Sequence, residues 1–142
     1  MTQPIQVNTL TAEQTVQLHG LYQKEWWSNQ RTLEQAQLVV ANSSLLIGLI
    51  EPETQRLVGF CRLLTDFVFR GTILDVIVAE DWRDRGLGRQ LLDAILTHPR
   101  LQPVQTLWLC CLPDMVEFYR KWGFDIMGQE IVWMQRYNTE KP

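Results

Sequence analysis

The stretch from Gly71 to Thr97 constrains the fold most, because it predicts a strand, a turn and a helix in immediate succession. Its first part, GTILDVIVAE, is rich in β-branched residues and predicts a strand over residues 71–80. The segment WRDRGLGRQLL follows at residues 82–92 and holds three arginines and two glycines. From about Gly88 to Thr97 apolar side chains recur with helical spacing, which predicts a helix. A strand that leads into a helix in this way favours a crossover to a parallel neighbouring strand.

The rest of the chain predicts further strands and helices around this unit. Thr11 and Thr32 each stand three residues before a glutamine, a spacing typical of a capping box at the start of a helix. Pro113 and Asp114 open another helix, which we expect Gly123 to stop. The resulting order, β-α-α-β-β-β-α-β-α-β, predicts an α+β fold with a mixed sheet and a parallel portion. The other expected strands cover residues 5–10, 43–51, 56–66, 104–112 and 131–137.

Length and composition exclude several classes of protein. A chain of 142 residues suits one domain over residues 1–142, and 46% apolar residues are enough for a core. A net charge of −3 argues against a nucleic-acid binder, and no apolar run is long enough for a membrane span. Three cysteines make a poor disulfide framework, no metal-ligand spacing occurs, and the N-terminus lacks a signal-peptide pattern. We therefore expect a cytoplasmic protein without a metal site.

The glycine–arginine segment before the predicted helix is a candidate anion site. A helix N-terminus has backbone N–H groups without intrahelical partners and a partial positive charge, so it favours phosphate groups. Glycine lets the backbone approach a bulky ligand, and arginine adds charge-assisted contacts. The alternative is an ordinary glycine-rich turn with solvated arginines. Neither a Walker loop nor the dinucleotide fingerprint fits, because Lys is absent from the turn and Leu91 replaces the third glycine.

The same segment carries a family resemblance. VIVAEDWRDRGLGRQLLDAIL resembles the acyl-CoA-binding motif of the GNAT superfamily, the Gcn5-related N-acetyltransferases; Arg83, Gly86 and Gly88 match its pattern [RQ]-x-x-G-x-[GA]. Downstream, PDMVEFYRKWGF is similar to the family's helix with a Phe-Tyr pair followed by Gly-Phe. The resemblance implies a central mixed, mostly antiparallel sheet of six to seven strands, about four flanking helices, and fourth and fifth strands that splay apart.

The resemblance also implies acetyl-CoA as the acyl donor. The pyrophosphate is expected on the amides from Arg85 to Arg89, and the pantetheine arm is expected beside the fourth strand in the manner of an added strand. Leu112 departs from the family, which often has asparagine there to contact the cofactor. The expected cofactor-binding residues are Val76, Ile77, Val78, Arg83, Arg85, Gly86, Leu87, Gly88 and Arg89.

Two residues match catalytic positions of the family. Tyr119 matches the tyrosine that donates a proton to the departing thiolate, and a phenol with an ordinary pKa of about 10 suits that role. Asp75 is a candidate base or amine-binding group, and its burial in an apolar strand is expected to raise its pKa. The alternatives are a core aromatic for Tyr119 and a carboxylate bound by an arginine or a loop for Asp75. The implied reaction is direct acetyl transfer to a primary amine; a non-catalytic acyl-CoA sensor or a partner-binding subunit is the alternative.

The acceptor site is expected near the segment EWWSNQR at residues 25–31. Trp26 and Trp27 are candidates for the wall of a pocket that binds the amine of a small molecule or peptide. Core packing or a homodimer contact remain open for both tryptophans. Cys110 and Cys111 invite a nucleophile role, but no histidine partner is evident, and buried cysteine commonly acts as a small apolar residue.

Overall fold

The computed structural model describes residues 2–128 and 130–141, and these contain five strands and four α-helices. Short 3-10 helices at Glu80–Trp82, Pro99–Leu101 and Pro113–Met115 precede or follow longer elements. In chain order the elements are β1 (Ile5–Val7), α1 (Ala12–Gln23), α2 (Leu33–Asn42), β2 (Leu45–Ile50), β3 (Leu57–Thr65), β4 (Arg70–Val78), α3 (Leu87–Leu96), β5 (Thr106–Trp108) and α4 (Val116–Arg120).

The first two helices begin at the predicted capping boxes. The Thr11 hydroxyl accepts the Gln14 N–H at 3.1 Å, and the Gln14 side chain accepts the Thr11 N–H at 3.0 Å. Thr32 and Gln35 form the same reciprocal pair at the start of α2. Each box satisfies two backbone donors that a helix start leaves without partners. Local sequence therefore fixes where α1 and α2 begin.

The sheet follows chain order, β1-β2-β3-β4-β5, and its first three pairings are antiparallel. β4 and β5 run parallel, and residues 70–72 of β4 lie opposite residues 106–108 of β5. Beyond Thr72, β4 has no strand partner on its β5 side within the described residues. The predicted mixed, mostly antiparallel sheet and the separation of the fourth and fifth strands are confirmed. The described residues form five strands, one fewer than the lower expected number.

α3 packs against the sheet and thereby places its own N-terminus. It contacts β2, β3 and β4, and Leu91, Leu92 and Ile95 on its apolar face are fully buried. Burying each of these side chains contributes about 1.5–3 kcal/mol. The predicted amphipathic helix is confirmed, and its start at Leu87 holds the glycine–arginine turn at the end of β4.

The strand predicted at residues 131–137 is wrong, because these residues form neither a strand nor a bridge. Their apolar side chains are exposed, including Ile131, Val132, Trp133 and Met134. A strand needs a neighbouring edge that accepts its backbone hydrogen bonds, and a β-prone sequence cannot supply that edge by itself. The other strands keep their predicted places, although β1 and β5 are shorter than expected.

The chain forms two compact units that divide between Cys110 and Cys111. The first unit holds the whole sheet with α1, α2 and α3, and the second holds α4 and the segment that follows it. The single domain expected over residues 1–142 stays a prediction. Every helix in residues 2–128 and 130–141 is too short or too polar to cross a bilayer.

Candidate active site

A β-bulge interrupts β4 at Asp75. Ile77 pairs with Phe60 on β3 and Leu74 pairs with Arg62, so Asp75 and Val76 together stand opposite one residue. Asp75 has a φ of 55°, a left-handed conformation that costs a residue with a Cβ about 1–3 kcal/mol. Bulges increase local twist and redirect side chains, and they are frequent beside active sites. The bulge therefore redirects the Asp75 side chain in the half of β4 that lacks a partner on its β5 side.

The turn between β4 and α3 leaves backbone donors available. The first hydrogen bond of α3 runs from the Gln90 N–H to the Gly86 carbonyl at 3.0 Å. Earlier in the turn, the amides of Gly86, Leu87, Gly88 and Arg89 have no acceptor among the residues that the structure describes. Gly86 itself has a φ of 81° and caps the helix without a side chain. These donors and the positive end of the helix dipole are features that favour an anion, and phosphate binding at this turn stays a prediction.

The arginines of the turn have different roles. The Arg83 guanidinium binds the Glu25 carboxylate at 2.9 Å and also donates to the Val78 carbonyl at 3.3 Å. Arg85 stacks its guanidinium over the Trp82 ring, 4.8 Å from the ring centroid, while Arg89 is exposed on the first turn of α3. Arg83 therefore ties the end of α1 to the end of β4.

A groove of about 160 Å³ lies between the end of α1 and the end of β4. Ile77 and Val78, two of the predicted cofactor-binding residues, line its β4 wall together with Ala79. The remaining wall combines apolar and charged side chains and includes the ion pair between Arg83 and Glu25. The complete lining consists of Leu21, Lys24, Glu25, Ile77, Val78, Ala79, Glu80 and Arg83.

Asp75 forms the centre of a charged cluster. Its Oδ2 atom accepts the Tyr22 hydroxyl at 2.7 Å, the Arg31 Nη1 at 2.8 Å and the Arg62 Nε at 2.7 Å. The Arg31 guanidinium also lies 4.5 Å from the centroid of the Tyr22 ring and 5.4 Å from that of Trp27. We call Tyr22, Arg31, Arg62 and Asp75 the Asp75 cluster; it lies entirely within the first unit.

The expectation that burial raises the pKa of Asp75 is wrong. Burial does oppose ionisation, but the hydrogen bonds from Arg31, Arg62 and Tyr22 outweigh it and hold the pKa below its ordinary value. Burial and the neighbouring carboxylate raise the pKa of Tyr22, so its phenol remains a donor. A carboxylate held ionised by two guanidinium groups is a weak proton acceptor, which fits the alternative of an arginine-bound carboxylate.

The two tryptophans occupy different environments. Trp27 meets the Tyr22 ring edge-on, with centroids 6.4 Å apart, and is 38% exposed. Trp26 is 71% exposed, which excludes core packing for it. Only Trp27 is thus brought to the Asp75 cluster, where its ring and Arg31 are in contact. An acceptor pocket and a homodimer contact stay predictions for this pair.

Tyr119 lies on α4 in the second unit. It is 8% exposed and meets Phe118 and Phe124 edge-on, with ring centroids 5.1 Å and 6.4 Å away. Asp75 and the groove belong to the first unit, so joint action of Tyr119 with Asp75 stays a prediction.

The three cysteines have different environments. Cys61 is buried, which raises the pKa of its thiol, whereas Cys110 and Cys111 are exposed.

Sequence reasoning did not identify Tyr22 and Arg62 as parts of the site. Tyr22 stands in the helix predicted after Thr11 and Arg62 in the strand predicted over residues 56–66, and neither position by itself indicates a site. A usable signal exists, because Arg62 and Asp75 are charged residues inside two otherwise apolar consecutive strands. Buried charges need partners, so opposite charges on neighbouring strands favour a cross-strand ion pair.

The described residues contain no group of three potential metal ligands.

Comparison with known proteins agrees with this geometry. The profile of the Acetyltransferase (GNAT) family matches residues 9–124. An uncharacterised N-acetyltransferase, ycf52 of Pyropia yezoensis, is 35% identical over 97 residues, which cover 67% of this chain and 56% of that protein. The chain thus spans little more than half the length of this relative.

Solved structures share the fold over nearly the whole chain. A putative GNAT-family acetyltransferase from Xanthomonas campestris pv. campestris superposes with a TM-score of 0.79 at 25% identity, covering 96% of each chain. A putative acetyltransferase from Deinococcus radiodurans R1 gives 0.76 at 26% identity, covering 94% of this chain and 88% of the other. With the turn, the unpaired edge of β4 and the family profile in agreement, the chain belongs to the GNAT acetyltransferase family.

Proposed function

We propose that this chain is an N-acetyltransferase that transfers the acetyl group of acetyl-CoA to a primary amine of a small molecule or peptide. One observation carries the proposal: the backbone donors at the start of α3 lack acceptors among the described residues and follow directly on the unpaired half of β4. A diphosphate suits the first feature and an extended, amide-bearing chain suits the second. Coenzyme A combines both groups in one molecule.

The donor is held by backbone more than by side chains in this proposal. The amides from Arg85 to Arg89 bind the diphosphate, with Arg85 and Arg89 adding positive charge. The pantetheine arm lies beside Val76, Ile77 and Val78, two of which line the groove. Arg83 positions the turn, because its guanidinium donates to the Glu25 carboxylate and to the Val78 carbonyl. These two bonds leave only part of the guanidinium for the ligand.

Acetyl transfer proceeds by direct attack. The lone pair of the neutral amine attacks the thioester carbonyl carbon, a C–N bond forms, and the C–S bond breaks as the tetrahedral intermediate collapses. The nitrogen releases one proton to water, and the departing thiolate takes one proton from the Tyr119 hydroxyl, which water later restores. The products are the N-acetyl amide and free coenzyme A. Placing both substrates in one cleft removes much of the entropic barrier.

The low pKa of Asp75 changes the part that this residue plays. The roles open to this buried carboxylate narrow to positioning, because Asp75 already accepts three hydrogen bonds and stays ionised. The amine therefore reaches the thioester as the neutral form or loses its proton to water. Asp75 fixes Arg31 and Arg62 beside the bulge of β4.

The same observation favours a second candidate function. A site whose buried carboxylate is a weak base also suits a non-catalytic acyl-CoA sensor or a partner-binding subunit, since fold alone does not determine function. Both candidates require coenzyme A binding at the turn. They differ in whether a bound amine accepts the acetyl group.

The test mixes the protein with acetyl-CoA and a panel of amines and follows the appearance of free thiol. Calorimetric titration with coenzyme A, in parallel, measures donor binding. Thiol release with an amine supports the acetyltransferase, whereas tight binding with no release across peptides, polyamines, amino acids and aminoglycosides supports the sensor. The Gly86→Glu variant is the control for both, because its added charge and bulk should abolish coenzyme A binding.

A further inference from the structure

The Asp75 cluster contains more positive than negative charge. It holds two guanidinium groups and one carboxylate, so its formal charge is +1. The cluster is largely shielded from water: the Asp75, Arg62 and Arg31 side chains are 5%, 14% and 28% exposed. A charge at a partly buried position interacts more strongly with a ligand than one in bulk water. An unbalanced cation in this place therefore needs an explanation.

Part of the cluster's hydrogen-bonding capacity is unused. All three bonds to Asp75 fall on Oδ2, and Arg62 donates only through Nε, so its two terminal nitrogens lack acceptors among the described residues. No enclosed side-chain nitrogen or oxygen of the described residues lacks a partner, so these terminal nitrogens reach solvent. The Oδ1 atom of Asp75 is open in the same way. The cluster thus presents several cationic donors and one acceptor to whatever occupies the adjoining space.

The cluster adjoins the groove along two elements. Asp75 precedes Ile77 and Val78 of the β4 wall by two and three residues, a distance of about 7–10 Å along a strand. Tyr22 follows Leu21, which lines the groove from α1. A ligand that extends from the groove along β4 to the bulge would therefore approach Asp75, which binds Arg31 and Arg62. The half-exposed ring of Trp27, in contact with Arg31, forms a flat surface beside them.

We propose that the acceptor carries an anionic oxygen group, a carboxylate or a phosphate, beside its amine, and that Arg31 and Arg62 bind this group. The inference rests on the proposed acetyltransferase function and names its substrate class. Guanidinium groups match the planar oxygen pair of a carboxylate and the oxygens of a phosphate. The anion balances the surplus charge of the cluster, and Oδ1 of Asp75 accepts an N–H of the neutral amine.

This arrangement orients the amine that the reaction needs. Because the bound anion balances the positive charge of Arg31 and Arg62, the cluster leaves no surplus charge to lower the pKa of the amine. The amine therefore arrives neutral or loses its proton to water, and Asp75 accepts its N–H without acting as a base. Acceptors without the anionic group lose both the contact and the orientation that follows from it.

The experiment compares three matched acceptors with the wild-type protein: β-alanine, 2-aminoethyl phosphate and the neutral β-alaninamide. We expect kcat/KM for at least one anionic acceptor to exceed that for the amide by about tenfold or more, the effect of one charge-assisted hydrogen bond. Arg31→Gln should raise KM for the anionic acceptor by a similar factor with little change for the amide. Arg31→Lys should restore part of the difference, because it keeps the charge.

Arg100→Gln is the matched control, since Arg100 is exposed and its guanidinium lies over the Phe67 ring. It should leave all three acceptors unchanged, and thermal unfolding checks that each variant is folded. Equal rates for the anionic acceptors and the amide would overturn the inference and leave the acetyltransferase standing. Release of thiol only with amines that lack an anion would overturn it too. Absence of release with every amine would instead refute the proposed function itself.

Discussion

Replacing Gly86 by alanine separates the two reasons for a glycine in the turn before α3. Gly86 has a φ of 81°, and a Cβ at this position would meet nothing within 4 Å. The cost of the substitution therefore comes from the left-handed backbone alone, about 1 kcal/mol. For a chain of this length that lowers Tm by about 3–5 °C.

The effect of Gly86→Ala on ligand binding is larger if the turn holds a diphosphate. A methyl group at Gly86 lies beside amides that lack acceptors among the described residues, so it hinders close approach of a phosphate. Loss of one charge-assisted hydrogen bond costs about 1.5–3 kcal/mol, or about 10- to 100-fold in Kd for coenzyme A. Calorimetric titration measures this Kd, and differential scanning calorimetry measures Tm.

Gly123→Ala is the matched control for this variant. Gly123 has a φ of 86° and equally open surroundings, but it lies after α4 in the second unit. It should lower Tm by a similar amount and leave the Kd for coenzyme A near the wild-type value. If Gly86→Ala lowers Tm and still binds coenzyme A like the wild type, Gly86 serves only the turn, and the diphosphate site is wrongly placed.

Three further perturbations test other parts of the molecule. Tyr119→Phe should lower kcat for thiol release far more than it changes the Kd for acetyl-CoA, and a wild-type rate would assign the proton donor elsewhere. Asp75→Asn should destabilise the fold by about 3 kcal/mol at neutral pH, near the low end for a broken buried ion pair because Arg31 and Arg62 keep contact with solvent. Folding lowers the pKa of Asp75, so the ionised carboxylate stabilises the fold at neutral pH, and this contribution is lost as pH falls below about 4. The variant lacks the contribution at every pH. Denaturant titrations should therefore show that its free energy of unfolding falls less between neutral and acid pH than that of the wild type. Gly20→Ala, in the interior of α1 with no atom within 4 Å of the new Cβ, should raise the free energy of unfolding by about 0.5–1 kcal/mol, and a decrease would show an unforeseen contact.

Local sequence was sufficient where neighbouring residues decide the structure. The capping boxes at Thr11 and Thr32 were predicted because each involves only four consecutive residues. The start of α3 was predicted within one residue, since the glycines and the apolar stripe lie side by side in sequence. The strand expected at residues 131–137 failed for the opposite reason, because strand formation depends on a partner that lies elsewhere in the chain.

The sequence by itself determined the turn that begins α3, the helix starts and the resemblance of both motifs to the family, because these depend on short-range backbone chemistry. Only the tertiary structure decided the direction in which the pKa of Asp75 shifts. Its three hydrogen-bond donors lie 53, 44 and 13 positions away in the chain, and their arrival reverses the pKa shift that burial alone would cause. The electrostatic environment of a buried group is the sum over neighbours brought together by folding, and no local pattern of residues contains that sum.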